Sequence, residues 1–149
     1  MLTLKRTNSD NPDFHILTAA LDVELCKIYG TKQEDYVEHN KIIDLPTVVL
    51  AYEGETPVAC GCIKIFSDNT VEIKRMFVTD HLRGNGIASS IVKELETWAK
   101  ELGYSFSVLE TGKGQPDAIG LYQKLGYKIT ANYGQYDGLE NSVCMKKEL

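Results

Sequence analysis

The chain has no excess of basic residues. Its 16 Lys and Arg residues are outnumbered by 21 Asp and Glu, which gives a formal net charge of −5. Binding to DNA, RNA or an anionic membrane relies on a basic face, so we expect no nucleic-acid partner and no membrane partner. An anionic ligand must therefore be bound by a local feature of the chain.

Long apolar runs are also missing. No segment approaches the roughly 20 apolar residues of a membrane span, and the N-terminal residues MLTLKRTNSD contain no run of signal-peptide length. These absences favour a cytoplasmic protein. With 149 residues, 43% of them hydrophobic, the chain is long enough for one domain, residues 1–149, that folds without disulfides or metals.

Metal-ligand patterns are absent from the sequence as well. Cys60 and Cys62 are the only neighbouring cysteines, and their spacing places both on one face of a strand rather than around zinc. Free cysteines are commonly buried, so we expect small core side chains in a reducing compartment. We therefore predict no metal site. The cysteines and histidines, most of them far apart, are Cys26, Cys60, Cys62, Cys144, His15, His39 and His81.

The periodicity of apolar residues and the turn signals predict a mixed α/β chain. In order, the predicted elements are strand 2–7, a helix from Pro12 that ends at Gly30, a short helix at 32–40, strands 46–52, 57–66 and 71–78, a helix at 84–102, strand 104–110, a helix at 117–126, and strands around 128–136 and 142–149. Short turns make 46–78 an antiparallel meander. The strand-helix-strand unit at 70–110 should instead be parallel.

The glycine-rich loop RGNGIA, residues 83–88, joins a buried strand to a long amphipathic helix. Such a loop directs free backbone N–H groups and the positive end of the helix dipole at one spot, which suits a phosphate. An ordinary tight turn is the alternative reading, because glycine serves that purpose too.

Two common nucleotide loops fit poorly. A dinucleotide fingerprint would place a glycine at Ser89 and would begin almost directly after the strand, yet residues 79–83 intervene; only Glu110, at the position of a ribose-binding acid, favours it. A P-loop needs Gly-Lys-Ser/Thr, whereas Lys113 is followed by Gly114 and Gln115. The third candidate ligand is the pyrophosphate of coenzyme A.

The motif RGNGIA resembles the Arg/Gln-x-x-Gly-x-Gly/Ala motif of the GNAT superfamily of acyl-CoA-dependent N-acyltransferases. The preceding VEIKRMFV is similar to that family's fourth strand, and 115–127 resembles its motif Asn-x-x-Ala-x-x-x-Tyr-x-x-x-Gly-Phe/Tyr. Gln115 replaces the usual asparagine, and a proline common before Arg83 is missing. The resemblance implies a central mixed, mostly antiparallel sheet of about six to seven strands, flanked by about four helices.

The resemblance further implies an enzyme with acetyl-CoA as cosubstrate and no metal. The acceptor would be a primary amine of a small molecule or a peptide, acetylated by direct transfer in a ternary complex. The alternative is a non-catalytic acyl-CoA-binding or regulatory module of the same fold. The implied cofactor-binding residues are Met76, Phe77, Val78, Arg83, Gly84, Asn85, Gly86, Ile87, Ala88 and Gln115.

Tyr122 and Glu72 stand at the family's catalytic positions. Tyrosine is protonated at neutral pH and can donate to the departing thiolate, so Tyr122 is the candidate acid; otherwise it is a packing aromatic. Glu72 is the candidate base for the amine. Strict alternation would put Glu72, Lys74, Met76 and Val78 on one face and Val71, Ile73, Arg75 and Phe77 on the other, and neither face is uniformly apolar. Periodicity therefore does not decide whether Glu72 faces a cleft or solvent.

The acceptor side has only weak sequence signals. Acidic residues in the early helices and the last loop either attract a cationic amine or form a solvated surface. The tract 133–138 contains two tyrosines beside glycines, and either lines an acceptor pocket or is a strand end followed by a turn. The sequence does not decide whether the last strands pair across an edge to form a homodimer. The acidic residues are Glu34, Asp35, Glu38, Asp44, Asp137 and Glu140.

Overall fold

A computed structural model describes residues 1–30 and 44–149 of the chain. Within these ranges it contains seven strands and three α-helices. In chain order they are β1 (Leu2–Thr7), α1 (Pro12–Tyr29), β2 (Val48–Glu53), β3 (Thr56–Ser67), β4 (Thr70–Val78), α2 (Ile87–Glu101), β5 (Phe106–Gly112), α3 (Pro116–Lys124), β6 (Lys128–Thr130) and β7 (Ser142–Glu148). The short helix predicted at 32–40 lies outside the described residues.

The seven strands form one sheet in the order β1-β2-β3-β4-β5-β7-β6. Neighbouring strands are antiparallel except β4 and β5, which are connected through α2 and run parallel. The predicted meander and the predicted parallel crossover are therefore confirmed. The fold is mixed α/β with a mostly antiparallel sheet, as the sequence indicates.

The helix ends follow local capping chemistry. Asn11 accepts a hydrogen bond from the backbone N–H of Asp13 at the start of α1, and Gly30 ends that helix at φ 63°. Helix α2 begins at Ile87 rather than at the predicted residue 84, because the glycines before it form the turn. Among the described helices, none is long and apolar enough to cross a membrane.

Strand β6 is shorter than predicted. The sequence indicates a strand around 128–136, whereas β6 ends at Thr130. Gly134 adopts φ 51° and begins a short 3-10 turn that runs to Tyr136, so the chain leaves the extended conformation there. The turn buries the Tyr136 side chain, which is 5% exposed.

A β-bulge interrupts β4 and overturns the predicted alternation. Arg75 adopts φ 59°, and the pairing with β3 shifts so that Arg75 and Met76 both lie opposite Gly61. The side chains beyond the bulge consequently exchange faces. Met76 and Val78 pack in the core beneath α2, whereas Phe77 joins the cluster beneath α1. The prediction that Met76 and Val78 share a face with Glu72 and Lys74 is wrong for this reason.

Three of the four cysteines are buried, and two of them contact the bulge. The thiols of Cys60 and Cys62 donate to the backbone oxygens of Arg75 and Lys74, each over 3.3 Å. Cys144 is also buried, and Cys26 is half-buried. The pair predicted to occupy one face of a strand does so, and it satisfies two carbonyl groups where the ladder is irregular.

Candidate active site

Strands β4 and β5 separate shortly after they meet. Their parallel pairing, within the described residues, covers four residue pairs and ends at Ile73 and Leu109. The bulge at Arg75 follows directly. Beyond this point, residues 74–78 of β4 and 110–112 of β5 line two adjoining clefts.

The first cleft, called the loop cleft below, lies in front of the loop 83–88 and has a volume of about 530 Å³. Gly84 and Gly86 adopt φ values of 83° and 79°, which permit the tight turn into α2. No side chain caps this end of α2, so its first N–H groups remain available to a ligand. With the helix dipole they form a positive concavity built from backbone. The predicted residues that line it are Met76, Phe77, Val78, Arg83, Gly84, Gly86, Ile87, Ala88, Gln115 and Tyr122.

The side chains of Arg83 and Asn85 are engaged within the protein. The Asn85 amide donates to the backbone oxygen of Leu82 over 2.9 Å and is not part of the cleft wall. Arg83 Nε donates to the Val78 oxygen over 2.9 Å, and its Nη1 pairs with Glu24 of α1 at 2.6 Å. In this conformation the guanidinium charge of Arg83 is therefore partly compensated at the cleft wall.

Gln115 and Tyr122 lie where the two clefts meet, and both contribute to each wall. Gln115 Oε1 accepts from the Thr111 hydroxyl over 3.1 Å and from the Tyr29 hydroxyl over 3.3 Å. Tyr122 is 7% exposed, and burial raises the pKa of its hydroxyl above the ordinary value. The hydroxyl is therefore protonated at neutral pH, as a proton donor must be.

The second cleft, called the strand cleft below, lies between the separated ends of β4 and β5 and has a volume of about 370 Å³. Its charged residues are Lys74 and Arg75 from β4 and Glu110 from β5. The Ser142 hydroxyl donates to Glu110 Oε2 over 2.7 Å. Apolar and aromatic side chains cover much of the rest, and they include Leu21, Leu25, Tyr29, Tyr136 and Leu139.

Sequence reasoning missed Glu110 as a residue of this cleft and considered it only as a ribose-binding acid. The signal is in the strand register. Glu72 pairs with Val108 in the parallel ladder, so the next position on the same face sets Lys74 against Glu110. Because pairing has ended there, both side chains border the cleft.

Glu72 lies outside the walls of both clefts. Its side chain is 7% exposed, and Oε2 accepts a hydrogen bond from the Tyr133 hydroxyl over 2.7 Å. The Lys74 ammonium is 3.9 Å from Oε1. Burial lowers the pKa of Lys74, while the Glu72 charge acts in the opposite direction. Glu72 thus influences the strand cleft through Lys74 and Tyr133.

Of the other residues predicted to bind the acceptor, only some line the strand cleft. Tyr136 lines it, whereas Tyr133 lies behind it against Glu72. Three of the predicted acidic residues are exposed and do not form its wall: Asp44, Asp137 and Glu140. The other three lie outside the described residues: Glu34, Asp35 and Glu38.

Neither cleft has a cysteine or histidine in its described wall. Across residues 1–30 and 44–149, no three His, Cys, Asp or Glu side chains are grouped as a metal ion would need. The chemistry available is therefore a backbone anion site, a protonated tyrosine at the junction, and charged groups on the far side.

Comparison with known proteins agrees with this geometry. A sequence model of the acetyltransferase (GNAT) family matches residues 14–127. An IAA acetyltransferase from Azospirillum brasilense is 34% identical over 120 residues, which cover 75% of this chain and 78% of the relative.

Solved structures extend the likeness over the whole sheet. A Klebsiella pneumoniae protein assigned to the acyl-CoA N-acyltransferases aligns with a TM-score of 0.83 and 25% identity, over 100% of this chain and 98% of that one. A GNAT family acetyltransferase from Elizabethkingia anophelis, with acetyl-CoA bound, aligns with a TM-score of 0.70 and 21% identity, over 99% and 98% of the two chains. The second match supports the fold.

Proposed function

The chain belongs to the acetyltransferase (GNAT) family and is an acyltransferase, and we propose that its single domain, residues 1–149, moves an acetyl group from acetyl-CoA to a primary amine of a small molecule or peptide. Transfer is direct, within a ternary complex. The observation that carries this proposal is the meeting of two clefts at Tyr122, one suited to a pyrophosphate and one to a charged acceptor.

Acetyl-CoA is assigned to the loop cleft. The uncapped start of α2 binds the pyrophosphate through backbone N–H groups, and Gly84 and Gly86 let the backbone approach it. The pantetheine arm follows the end of β4 at 76–78 toward Gln115. This direction brings the thioester to the junction of the clefts, and no metal takes part in the proposed reaction.

Tyr122 is the proposed acid. Its hydroxyl accepts no hydrogen bond from, and donates none to, any group in the described ranges, and its raised pKa keeps it protonated. A tyrosine so placed can protonate the CoA thiolate as the C–S bond breaks. Backbone N–H groups near the end of β4 stabilise the oxyanion that forms on the acetyl carbonyl.

Two carboxylates compete for the role of base. The sequence favours Glu72, but its carboxylate is bound by Tyr133 and stands outside both cleft walls. Glu110 lines the strand cleft directly. We assign to Glu110 the capture of the ammonium group and the removal of its proton, and to Glu72 the control of the charge on Lys74.

Direct transfer is favoured over an acyl-enzyme because no cysteine is suitably placed. None of the four cysteines lines a cleft, and burial raises the pKa of Cys60, Cys62 and Cys144. A buried, protonated thiol is a poor nucleophile. Kinetics with both substrates varied should therefore give intersecting rather than parallel double-reciprocal lines.

Calorimetry and a thiol-release assay test the function together. Acetyl-CoA is expected to bind the purified protein more tightly than NAD does, and at least one amine from a broad panel should release free CoA. If acetyl-CoA fails to bind, the cofactor assignment is wrong. If it binds and no amine releases thiol, the non-catalytic binding module replaces the enzyme.

Glu110→Gln and Glu72→Gln form a matched pair that tests the base. We expect Glu110→Gln to reduce kcat about 100-fold, as removal of a general base commonly does. Glu72→Gln should cause a smaller loss, because it acts through Lys74. The reverse order would restore Glu72 as the base.

A further inference from the structure

Arg75 is the least satisfied charged residue in the described structure. Its side chain is 3% exposed, and Nη2 binds Asp22 Oδ1 at 2.8 Å and the Thr18 oxygen at 3.0 Å. The other two nitrogens, Nε and Nη1, are buried and have no hydrogen-bond partner within residues 1–30 and 44–149. Only one of three donor nitrogens is therefore used by the fold.

Such an arrangement is costly for a purely structural residue. A buried charged donor without an acceptor loses its hydration and gains nothing in return. Arg75 also adopts φ 59°, a backbone conformation that residues other than glycine rarely take. Unpaired donors and backbone strain together in one cleft wall are typical of a binding site rather than of a packing position.

The charges around the strand cleft are separated by sign. Arg75 and Lys74 belong to β4, whereas Glu110 belongs to β5 on the other side of the split. A ligand with both a cationic and an anionic group would match the two sides at once. A simple amine would match Glu110 alone and would leave the Arg75 donors unused.

The rest of the wall limits the size and polarity of the ligand. The cleft volume of about 370 Å³ is at the small end of ligand pockets, which span roughly 300 to 1,000 Å³. Leu25, Leu139 and the ring of Tyr136 supply apolar surface beside the charged groups. This combination favours a small molecule with an apolar side chain.

Resting on the proposed acetyltransferase function, we propose that the acceptor is an α-amino acid with an apolar side chain, whose carboxylate binds Arg75 while its amine faces Glu110. The carboxylate supplies the acceptor that the unused guanidinium nitrogens lack. Arg75 is thus a specificity-determining residue, and the peptide-acceptor option of the broader proposal is excluded by this assignment.

Matched acceptors test the proposal on the unmodified protein. Leucine is compared with isopentylamine and leucinamide, and phenylalanine with phenethylamine and phenylalaninamide, by release of free CoA. We expect kcat/KM to be at least about tenfold higher for each amino acid, as a charge-assisted hydrogen bond would give. Amidation lowers the pKa of the amine and so increases its reactive fraction, which means that amine basicity alone predicts better use of the amides than of the amino acids. Basicity alone predicts poorer use of the more basic alkylamines, so the comparison with the amides is the decisive one.

Three outcomes are distinguishable. A preference for both amino acids over their amides supports the proposal. Equal or better use of the amines or amides overturns it and leaves the acetyltransferase function standing. Binding of acetyl-CoA with no thiol release from any of the six compounds or the wider amine panel overturns the catalytic function, and this proposal with it.

Variants separate ligand binding from the structural contact between Arg75 and α1. Arg75→Lys removes the guanidinium nitrogen that contacts Asp22 at 2.8 Å, and Asp22→Asn removes the carboxylate charge, so both should lower thermal stability. Only Arg75→Lys should raise the KM for phenylalanine about tenfold, whereas Asp22→Asn should leave that KM unchanged or lower it. A parallel rise of KM in both variants would show a structural role and overturn the proposal.

Discussion

The two clefts differ in whether backbone or side chains form the binding surface. The loop cleft is shaped by backbone, since its anion site consists of the glycine turn and the uncapped start of α2. The strand cleft is shaped by side chains that come from α1, β4, β5, α3 and the segment before β7. A backbone site needs a short contiguous motif, whereas a side-chain site can be assembled from positions far apart. The first is therefore suited to an invariant ligand and the second to a variable one.

Tyr122→Phe tests the residue that both clefts share. We expect kcat to fall about 100-fold, because the leaving thiolate loses its proton donor, while the Kd of acetyl-CoA stays unchanged. Stopped assays of kcat across pH, with calorimetry for Kd, measure both quantities.

Tyr127→Phe is the matched control. Tyr127 packs edge-on against Tyr122 with ring centres 5.9 Å apart, but its hydroxyl binds Glu96 and Ser107 away from the clefts. This variant should lose stability and keep its kcat. An unchanged rate in Tyr122→Phe would leave Tyr122 as a packing aromatic.

Gly86→Ala should impair the loop cleft alone. Alanine is disfavoured at φ 79° by roughly 1–2 kcal/mol, and the loop can relieve this by leaving the conformation that binds pyrophosphate. We expect the Kd of acetyl-CoA to rise about tenfold, with the KM of the amine unchanged. Gly103→Ala is the control, because Gly103 has φ 95° in a turn remote from both clefts. Equal effects of the two variants on Kd would refute a specific role for the loop.

Glu24→Gln should strengthen acetyl-CoA binding. It removes the carboxylate that holds Arg83 at 2.6 Å and frees the guanidinium for the phosphates. Both partners are partly exposed, so we expect a gain of only about threefold that disappears at high salt. Glu101→Gln removes a comparable exposed pair with Arg6 and should leave Kd unchanged. A weaker Kd in Glu24→Gln would show that the pair positions Arg83 for the ligand instead.

The smallest effect at neutral pH is expected from the buried and half-buried tyrosines, of which Tyr122 and Tyr136 line the strand cleft. Burial raises the pKa of Tyr122, Tyr127, Tyr133 and Tyr136, and burial with a hydrogen bond to Asp13 raises the pKa of Tyr52 to about 12. The unfolded chain releases these protons near pH 10, before the folded chain does. The free energy of unfolding should therefore be insensitive to these groups below about pH 10 and fall as pH rises toward 12.

Urea titrations at a series of alkaline pH values measure this loss. Spectroscopic titration of the folded protein should find these hydroxyls still protonated where free tyrosine is half ionised. Ionisation of all of them near pH 10 in the folded state would contradict the burial of these tyrosine side chains.

The sequence predicts most of the sheet, because turn residues and alternation are local signals. The meander, the parallel crossover and the glycine loop all follow from them. The bulge at Arg75 does not follow from local signals. The segment VEIKRMFV contains no glycine, and nothing in it indicates that Arg75 would adopt a positive φ. Gly61 lies opposite the bulge on β3, and an added Cβ there would lie only 2.9 Å from Ile91. The sequence feature associated with the bulge is therefore a glycine on the neighbouring strand.

The candidate functional residues can likewise be divided into those that a local sequence motif predicts and those that it does not. The residues of the loop 83–88 belong to one contiguous motif, and all of them except Asn85 line the loop cleft; that they bind the cofactor stays a prediction. Glu110 needs the register between β4 and β5, and Arg75 needs knowledge of the bulge. Neither is visible in the order of residues along the chain, so the strand cleft could be located only in three dimensions.

Because cysteines are buried beside the bulge, unfolding of the protein can be followed by counting its reactive thiols. Burial raises the pKa of Cys62 to about 12 and that of Cys60 and Cys144 above the usual range, so thiol reagents at neutral pH should find at most the half-buried Cys26. Unfolding exposes all four cysteines. The number of titratable thiols per chain therefore measures the unfolded fraction, and the folded enzyme contributes little background when released CoA is counted.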